Sequence, residues 1–427
     1  MEQFVVEGGR PIGGRVIPAG NKNEALPCLA ACLLAGGEVR LENVPDVSDI
    51  HTMGDLVGSV GCTVERPDPH SYRVLPSDRA GEPSHDAARR IRGSFLLAGP
   101  LLARRGEVRL PAPGGDRIGR RRVDTHLLAF RALGARVEAT GGEYVVRAPD
   151  GLTGADVFLD EASVMGTENA LMAAVLARGT TTIQNAASEP HVQGLCRLLS
   201  AMGADIRGAG TNRLEVRGVE GIGGARHRLA PDHIEVGSFV GLAAATGGEL
   251  VVPGAGVENL RMIRMTYERL GLALECQGDD LVVPGGQRLR IVDDVGGAVP
   301  TVADGPWPAF PADLTSIIVV VATQAAGTLL VHEKMFESRL WFVDQLQRMG
   351  ARIVLCDPHR ALVVGPAALS GARISSPDIR AGMALLIAAL TARGRSVIQN
   401  VAQIDRGYES IEHRLRELGA EIRREPE

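Results

Sequence analysis

Of the 46 basic residues only Lys22 and Lys334 are lysine, a bias that singles out both. Lys22 stands in Ala19-Gly20-Asn21-Lys22-Asn23-Glu24, just ahead of a run that reads as a buried helix. Unpaired backbone N–H groups and a compact ammonium can meet a phosphate there. The bland alternative is a solvated lysine beside an Asn N-cap. A second departure is Pro113-Gly-Gly-Asp-Arg-Ile-Gly-Arg-Arg-Arg-Val-Asp-Thr-His126. Glycines flank a loop able to move, and Asp116 followed by Arg117, Arg120, Arg121 and Arg122 makes an anion site containing an acid. Read blandly, it is a Gly-Gly-Asp turn and a solvated basic run.

Further charged residues are Arg92, Asp313, Arg339, Arg380 and Arg406, several of them at or just before the start of an apolar helical stretch. Asp313 alone reads as an N-cap. As a set they read as anion-binding side chains in both halves of the chain, directed at a ligand held between domains.

The elements that must position these groups repeat. An alanine-rich run ending in glycine, a β-like run, a helix-like stretch and a second strand recur six times, closed by Gly61, Gly134, Gly203, Gly271, Gly350 and Gly419. The spacing of roughly 70 residues marks a repeat architecture. Examples are Leu176-Ala-Arg-Gly-Thr-Thr-Thr-Ile-Gln-Asn185 and Leu390-Thr-Ala-Arg-Gly-Arg-Ser-Val-Ile-Gln-Asn400. The first helix of each copy, as in Ala25 to Ala35 or Met383 to Ala392, is small and apolar on most faces, so it is buried on most sides. The β-like runs alternate enough to leave one face solvated. The expected fold is α/β, a two-domain inside-out barrel of six βα-type repeats with helices inside and sheets outside.

At 427 residues the chain exceeds what one core usually serves. Three repeats per domain places one domain at 22–230 with the mobile loop and the other at 1–21 plus 231–427, the break falling at Ala230-Pro231-Asp232. The opening strand caps the first domain or returns to complete the second; spacing alone does not decide. A net charge of −5 and 3% aromatic residues argue against nucleic acid, which wants a basic face and stacking platforms. Cys28, Cys32, Cys62, Cys196, Cys276 and Cys356 show no metal-ligand spacing and read as core residues of a reducing compartment. No apolar stretch reaches the ~18 residues of a membrane span. The N-terminus has no signal-peptide pattern, so a cytoplasmic protein is expected. The oligomeric state is open, a monomer being the expectation.

Six motifs taken together make the chain resemble the enolpyruvyl transferases, most closely the branch that acts on UDP-N-acetylglucosamine. They are Gly20-Asn-Lys-Asn-Glu-Ala-Leu-Pro27, Pro113-Gly-Gly-Asp-Arg-Ile-Gly119, Asn185-Ala-Ala-Ser-Glu-Pro190, Pro231-Asp-His-Ile-Glu-Val-Gly237, Ala309-Phe-Pro-Ala-Asp313 and Ile404-Asp-Arg-Gly-Tyr-Glu409. The resemblance places the returning strand in the second domain and the active site in the cleft between the domains. It implies transfer of the enolpyruvyl group of phosphoenolpyruvate to the 3-hydroxyl of UDP-N-acetylglucosamine, with phosphate released through a tetrahedral ketal and no metal or organic cofactor. Lys22, Arg121 and Arg406, with Arg92 and Arg380 beside them, match the positions that bind phosphoenolpyruvate. By the family's pattern Asp313 is the base at the hydroxyl, Asn23 steadies the intermediate and Asp116 is the loop acid. The UDP-sugar contacts map onto Arg92, Arg121, Val123, Asp124, Thr125, Ser163, Val164, Met165, Asp313 and Phe336.

Most of the family carries cysteine at the loop position. A free aspartic acid titrates near 3.9 and a cysteine near 8.5, so Asp116 as the acid implies a proton acquired only in the closed, substrate-loaded state. It also implies insensitivity to fosfomycin, an epoxide that alkylates the loop thiol. Arg122, Met165, His233 and Ser338 depart from the family's usual residues on the acceptor side, which keeps open another uridine nucleotide such as UMP as acceptor. A catalytically silent nucleotide-binding paralogue is the reading of a different class.

Overall fold

All six repeat glycines stand in the left-handed region, with φ from +85° at Gly271 to +112° at Gly203. A glycine there ends a helix and turns the chain without a Cβ penalty. A strand follows each one: Thr63–Asp68, Arg136–Thr140, Asp205–Arg207, Glu275–Gln277, Arg352–Asp357 and Glu421–Pro426. A second marker recurs in three copies. Asn43, Asn185 and Asn400 have φ of +56° to +57° and give their side-chain N–H to the carbonyls of Leu229, Leu159 and Ser376.

The computed structural model describes residues 2–77, 81–116 and 118–427. The chain divides into two compact units, which we call C-terminal (Met1–Ala19, Asp116–Arg120 and Pro231–Glu427) and N-terminal (Gly20–Gly115 and Arg121–Ala230). Unlike the sequence-based division, this one groups Asp116–Arg120 with the C-terminal unit, where each of its anchors lies. Asp116 binds Arg406, Ile118 O accepts from Ser338 N–H, and Arg120 N–H donates to Glu337. Arg117, one of the four loop arginines, lies outside the described residues.

Within the C-terminal unit the helices His233–Thr246, Thr315–Ala322 and Ile379–Thr391 pack on one another. Val319 to Val321 and Leu385 to Ala389 are fully buried, as helices apolar on nearly every face must be. Three sheets built on Leu250–Val252, Gly327–His332 and Gly394–Gln399 surround them. The opening strand Glu2–Gly8 is antiparallel to both Gly394–Gln399 and Glu421–Pro426, which completes the last repeat's sheet with the first residues of the chain.

The N-terminal unit repeats the plan around Lys22–Ala31, Ala98–Arg105 and Val164–Ala174, with sheets built on Val39–Glu42, Glu107–Pro111 and Thr180–Gln184. Its last strand, Ala225–Arg228, returns parallel to Val39–Glu42 and closes the unit on its own first repeat. The chain is thus an α/β protein of two inside-out barrels with helices inside. The strand Arg213–Arg217 alternates exposed and buried as its pattern requires.

Among the described residues all six cysteines are free thiols. Cys28, Cys32 and Cys196 are core residues, whereas Cys276 and Cys356 are exposed on strands, contrary to the expectation for the set. Among the described residues no helix is long and apolar enough to cross a membrane.

Candidate active site

In the C-terminal unit Asp116 lies against Arg406, whose Nη1 donates to its Oδ1 at 2.5 Å and to Gln403 Oε1 at 2.8 Å. Both side chains of the ion pair are about 15% exposed, at 15% and 16%. Arg406 ends the short helix Ala402–Asp405. That turn is tied down by Arg424, which holds Asp405 and Glu412 through paired bonds of 2.7 to 3.0 Å.

Asp313 is not an N-cap. It sits inside the 3-10 turn Ala312–Leu314, and its carboxylate accepts Arg339 Nη2 on Oδ1 and Arg380 Nε on Oδ2, each at 3.0 Å. Both guanidiniums are almost wholly buried, while Asp313 is 29% exposed. Burial alone would pull both arginines down, but the charges around them more than offset it, chiefly Asp313 for Arg339, and Tyr408 and Asp313 for Arg380. Arg380 is aimed by Asp378, which caps Ile379–Thr391 by accepting the N–H groups of Arg380 and Ala381, and by the Tyr408 ring, 5.3 Å away. His233 is buried beside them and held neutral, down to about 4, by burial first and by Arg380 second. Phe336 stacks under Arg339 at 5.1 Å. Lys334, the other lysine, is exposed.

In the N-terminal unit Lys22 is the first residue of its helix, after Asn21, which caps it by accepting the Glu24 N–H. The ammonium is buried and paired with Asp49 at 2.7 Å. Glu24, fully buried, fixes the start of this helix through His227 at 2.9 Å and the Ala230 N–H at 3.2 Å. Asn23 is half-buried beside Lys22.

Arg92 reaches the Arg122 carbonyl at 2.6 Å, and burial together with the charge of Arg121 lowers it to about 10. Two guanidiniums that oppose each other's charge in one place invite an anion. The preceding glycines are required by space: a Cβ on Gly114 would lie 1.8 Å from Arg89 O, and one on Gly115 would lie 2.9 Å from Arg92 Cβ.

The residues expected at the nucleotide differ in burial and in their partners. Val123 is core, and Thr125 gives its hydroxyl to Asp160, which also takes Arg122. Asp124 is exposed. Ser163 caps Val164–Ala174 by accepting the Gly166 N–H. Met165, expected among the UDP-sugar contacts, packs against the unit's core.

Within one unit the structure therefore brings together Asp313 with Arg380 and Arg339, and Asp116 with Arg406. Within the other it brings together Arg92, Arg121 and Arg122. Sequence reasoning missed Asp49, Asp160 and Glu333. Asp49 reads as an ordinary acidic residue in the first turn of Ser48–Ser59, and nothing local marks it as the partner of Lys22.

Comparison with known proteins shows what the whole chain is similar to. The family model described as EPSP synthase (3-phosphoshikimate 1-carboxyvinyltransferase) matches residues 6–415. A Bradyrhizobium diazoefficiens protein named UDP-N-acetylglucosamine 1-carboxyvinyltransferase is 57% identical across 100% of this chain and 98% of its own length. The Treponema pallidum protein of the same name is 52% identical across 100% of each. The crystal structure of the enolpyruvyl transferase NikO from Streptomyces tendae superposes with a TM-score of 0.88 at 26% identity, covering 99% of this chain and 98% of that one.

Proposed function

The chain belongs to the enolpyruvyl transferases, in the branch of the UDP-N-acetylglucosamine 1-carboxyvinyltransferases, and from that membership we propose its reaction and the residues that carry it. It is a transferase that moves the enolpyruvyl group of phosphoenolpyruvate to the 3-hydroxyl of UDP-N-acetylglucosamine, the first committed step of peptidoglycan precursor synthesis. The observation that carries this reading is kinship of one named activity along the whole chain.

The sugar oxygen adds to C2 of phosphoenolpyruvate while C3 takes a proton, giving the tetrahedral ketal. The C2–O bond to phosphate then breaks and C3 returns a proton, restoring the double bond. Asp116 delivers the proton to C3, and Asp313 receives the one leaving the hydroxyl. Lys22, Arg121 and Arg406, with Arg92 and Arg380, hold the phosphate and carboxylate of the donor; guanidinium forks suit both oxyanions. Asn23 steadies the ketal. Val123, Asp124, Thr125, Ser163, Val164, Met165 and Phe336 serve the UDP-sugar.

The Asp116–Arg406 ion pair supports a specific order of events. The donor's carboxylate competes for Arg406, and Asp116, losing its cation beside a multiply charged anion, then takes up the proton that it delivers. The reaction runs in the cytoplasm, a reading supported by six cysteines kept as thiols.

The test is phosphate release from phosphoenolpyruvate with UDP-N-acetylglucosamine, UMP or shikimate 3-phosphate as acceptor. Release with UDP-N-acetylglucosamine is expected. Release with UMP alone, or with no acceptor, overturns the assignment.

A further inference from the structure

The C-terminal unit holds a buried acid that the reaction above does not use. Glu333, the residue after the strand Gly327–His332, is 0% exposed. Its Oε1 accepts the Phe336 N–H at 3.2 Å, and its Oε2 faces Arg339 Nε at 3.8 Å, beyond hydrogen-bond reach. Among the described residues that Nε has no hydrogen-bond partner, while Nη2 of the same guanidinium holds Asp313 at 3.0 Å. One buried arginine thus stands between two carboxyl groups and is bonded to the one that faces substrate.

The surroundings keep Glu333 protonated through neutral pH. Burial pushes it up first, Arg339 pulls it back, and the Asp304 carboxyl pushes it up again, to about 9. Asp304 is held in place by the backbone N–H groups of Lys334 and Met335. The Thr315 hydroxyl also faces Glu333, and His359 reaches only its backbone carbonyl, at 2.7 Å. Beyond Arg339 stand Asp378 and Arg380.

We propose that Glu333 is a positioning residue for the transfer reaction: as a neutral acid it leaves Arg339 to clamp Asp313, and as a carboxylate it draws the guanidinium back. Asp313 then loses the Arg339 guanidinium, and a new negative charge enters the cation cluster that the anionic substrates need. The inference rests on Asp313 acting at the sugar hydroxyl as assigned above.

The experiment is kcat/KM for phosphate release with phosphoenolpyruvate and UDP-N-acetylglucosamine, from about pH 6.5 to about pH 10, for the wild type and Glu333→Gln. Release by the wild type at neutral pH establishes the reaction itself, and its absence counts against the assigned function. Given that reaction, the wild type is expected to lose about tenfold per pH unit above about pH 9. Glu333→Gln keeps the neutral shape and is expected to stay within about threefold of the wild type at pH 7, with its alkaline limb moved up toward the lysine range near 10.4. A merely structural glutamate would leave the limb where it was. Superimposable alkaline limbs overturn the proposal, and so does a wild-type profile flat to about pH 10, a result that needs no folded variant.

Discussion

Asp116 Oδ1 and Arg406 Nη1 are 2.5 Å apart, so the proposed proton donor and one of the proposed donor-binding cations are each other's partner. Because the same arginine serves both the acid and the substrate, the two substitutions should separate in kinetics. Asp116→Asn keeps the shape but has no proton to deliver, and should lower kcat by about 10² to 10⁴ with a smaller change in KM for phosphoenolpyruvate. Arg406→Ala should raise that KM by at least tenfold. Turnover by Asp116→Asn at the wild-type rate removes Asp116 from the chemistry.

The carboxylate at position 116 also decides the response to an epoxide. A thiolate opens fosfomycin by nucleophilic attack, and a carboxylate is a much poorer nucleophile. The wild type should keep its activity after incubation with fosfomycin, while Asp116→Cys, if active, should lose it with time and gain the mass of one adduct. Time-dependent inactivation of the wild type at the rate of its cysteine variant contradicts this.

Lys22 and Asp49 form an ion pair with side-chain exposures of 8% and 7%. Breaking such a pair from one side leaves a buried charge without its partner, which costs about 3–5 kcal/mol. Asp49→Asn should lower the urea midpoint accordingly with an unchanged slope. The double variant Lys22→Met/Asp49→Leu should recover most of that stability and stay inactive, which separates Lys22's part in the fold from its part in binding.

The repeat was legible because it is written in residues with a backbone reason. Gly61 through Gly419 turn out of helices at positive φ, and no other residue does this so cheaply. The inner helices were legible as runs with no polar face. The place of the opening strand was not, because strand pairing between Glu2–Gly8 and Glu421–Pro426 leaves no trace in spacing. At the site, Asp313 was noticed for standing before a helix, yet its side chain turns to Arg339 and Arg380 rather than to the helix N-terminus. Glu333 went unseen because an acid after a strand is ordinarily solvated. The groups that act on it, Asp304, Thr315 and Arg339, come from three separate stretches of chain.

Gly114 offers a test of loop geometry that leaves every charged group in place. A Cβ there meets Arg89 O at 1.8 Å, a backbone atom that cannot swing aside. Gly114→Ala should shift the segment leading to Asp116. A misplacement of about 1 Å can cost about 10²-fold in rate, so kcat should fall at least tenfold while Tm stays within a few degrees. Full activity in a folded Gly114→Ala would show that the loop tolerates the displacement.

Two buried histidines contribute to the acid side of stability. Burial lowers His126 to about 3 and His233 to about 4, from an ordinary value near 6.5. Both are depressed in the folded protein, so their contribution is fully present above pH 6.5 and is lost as pH falls from there toward 4. His126 Nδ1 lies 2.8 Å from Asn169 Nδ2, which donates to the neutral ring, and a proton on Nδ1 would remove that acceptor. Urea midpoints measured at pH 7.5, 6, 5 and 4.5 should therefore decline, with each histidine contributing a slope of up to about 1.4 kcal/mol per pH unit below its unfolded value. His126→Gln cannot take up that proton, and it should flatten the decline by about one such slope. An unchanged decline would place the acid sensitivity elsewhere.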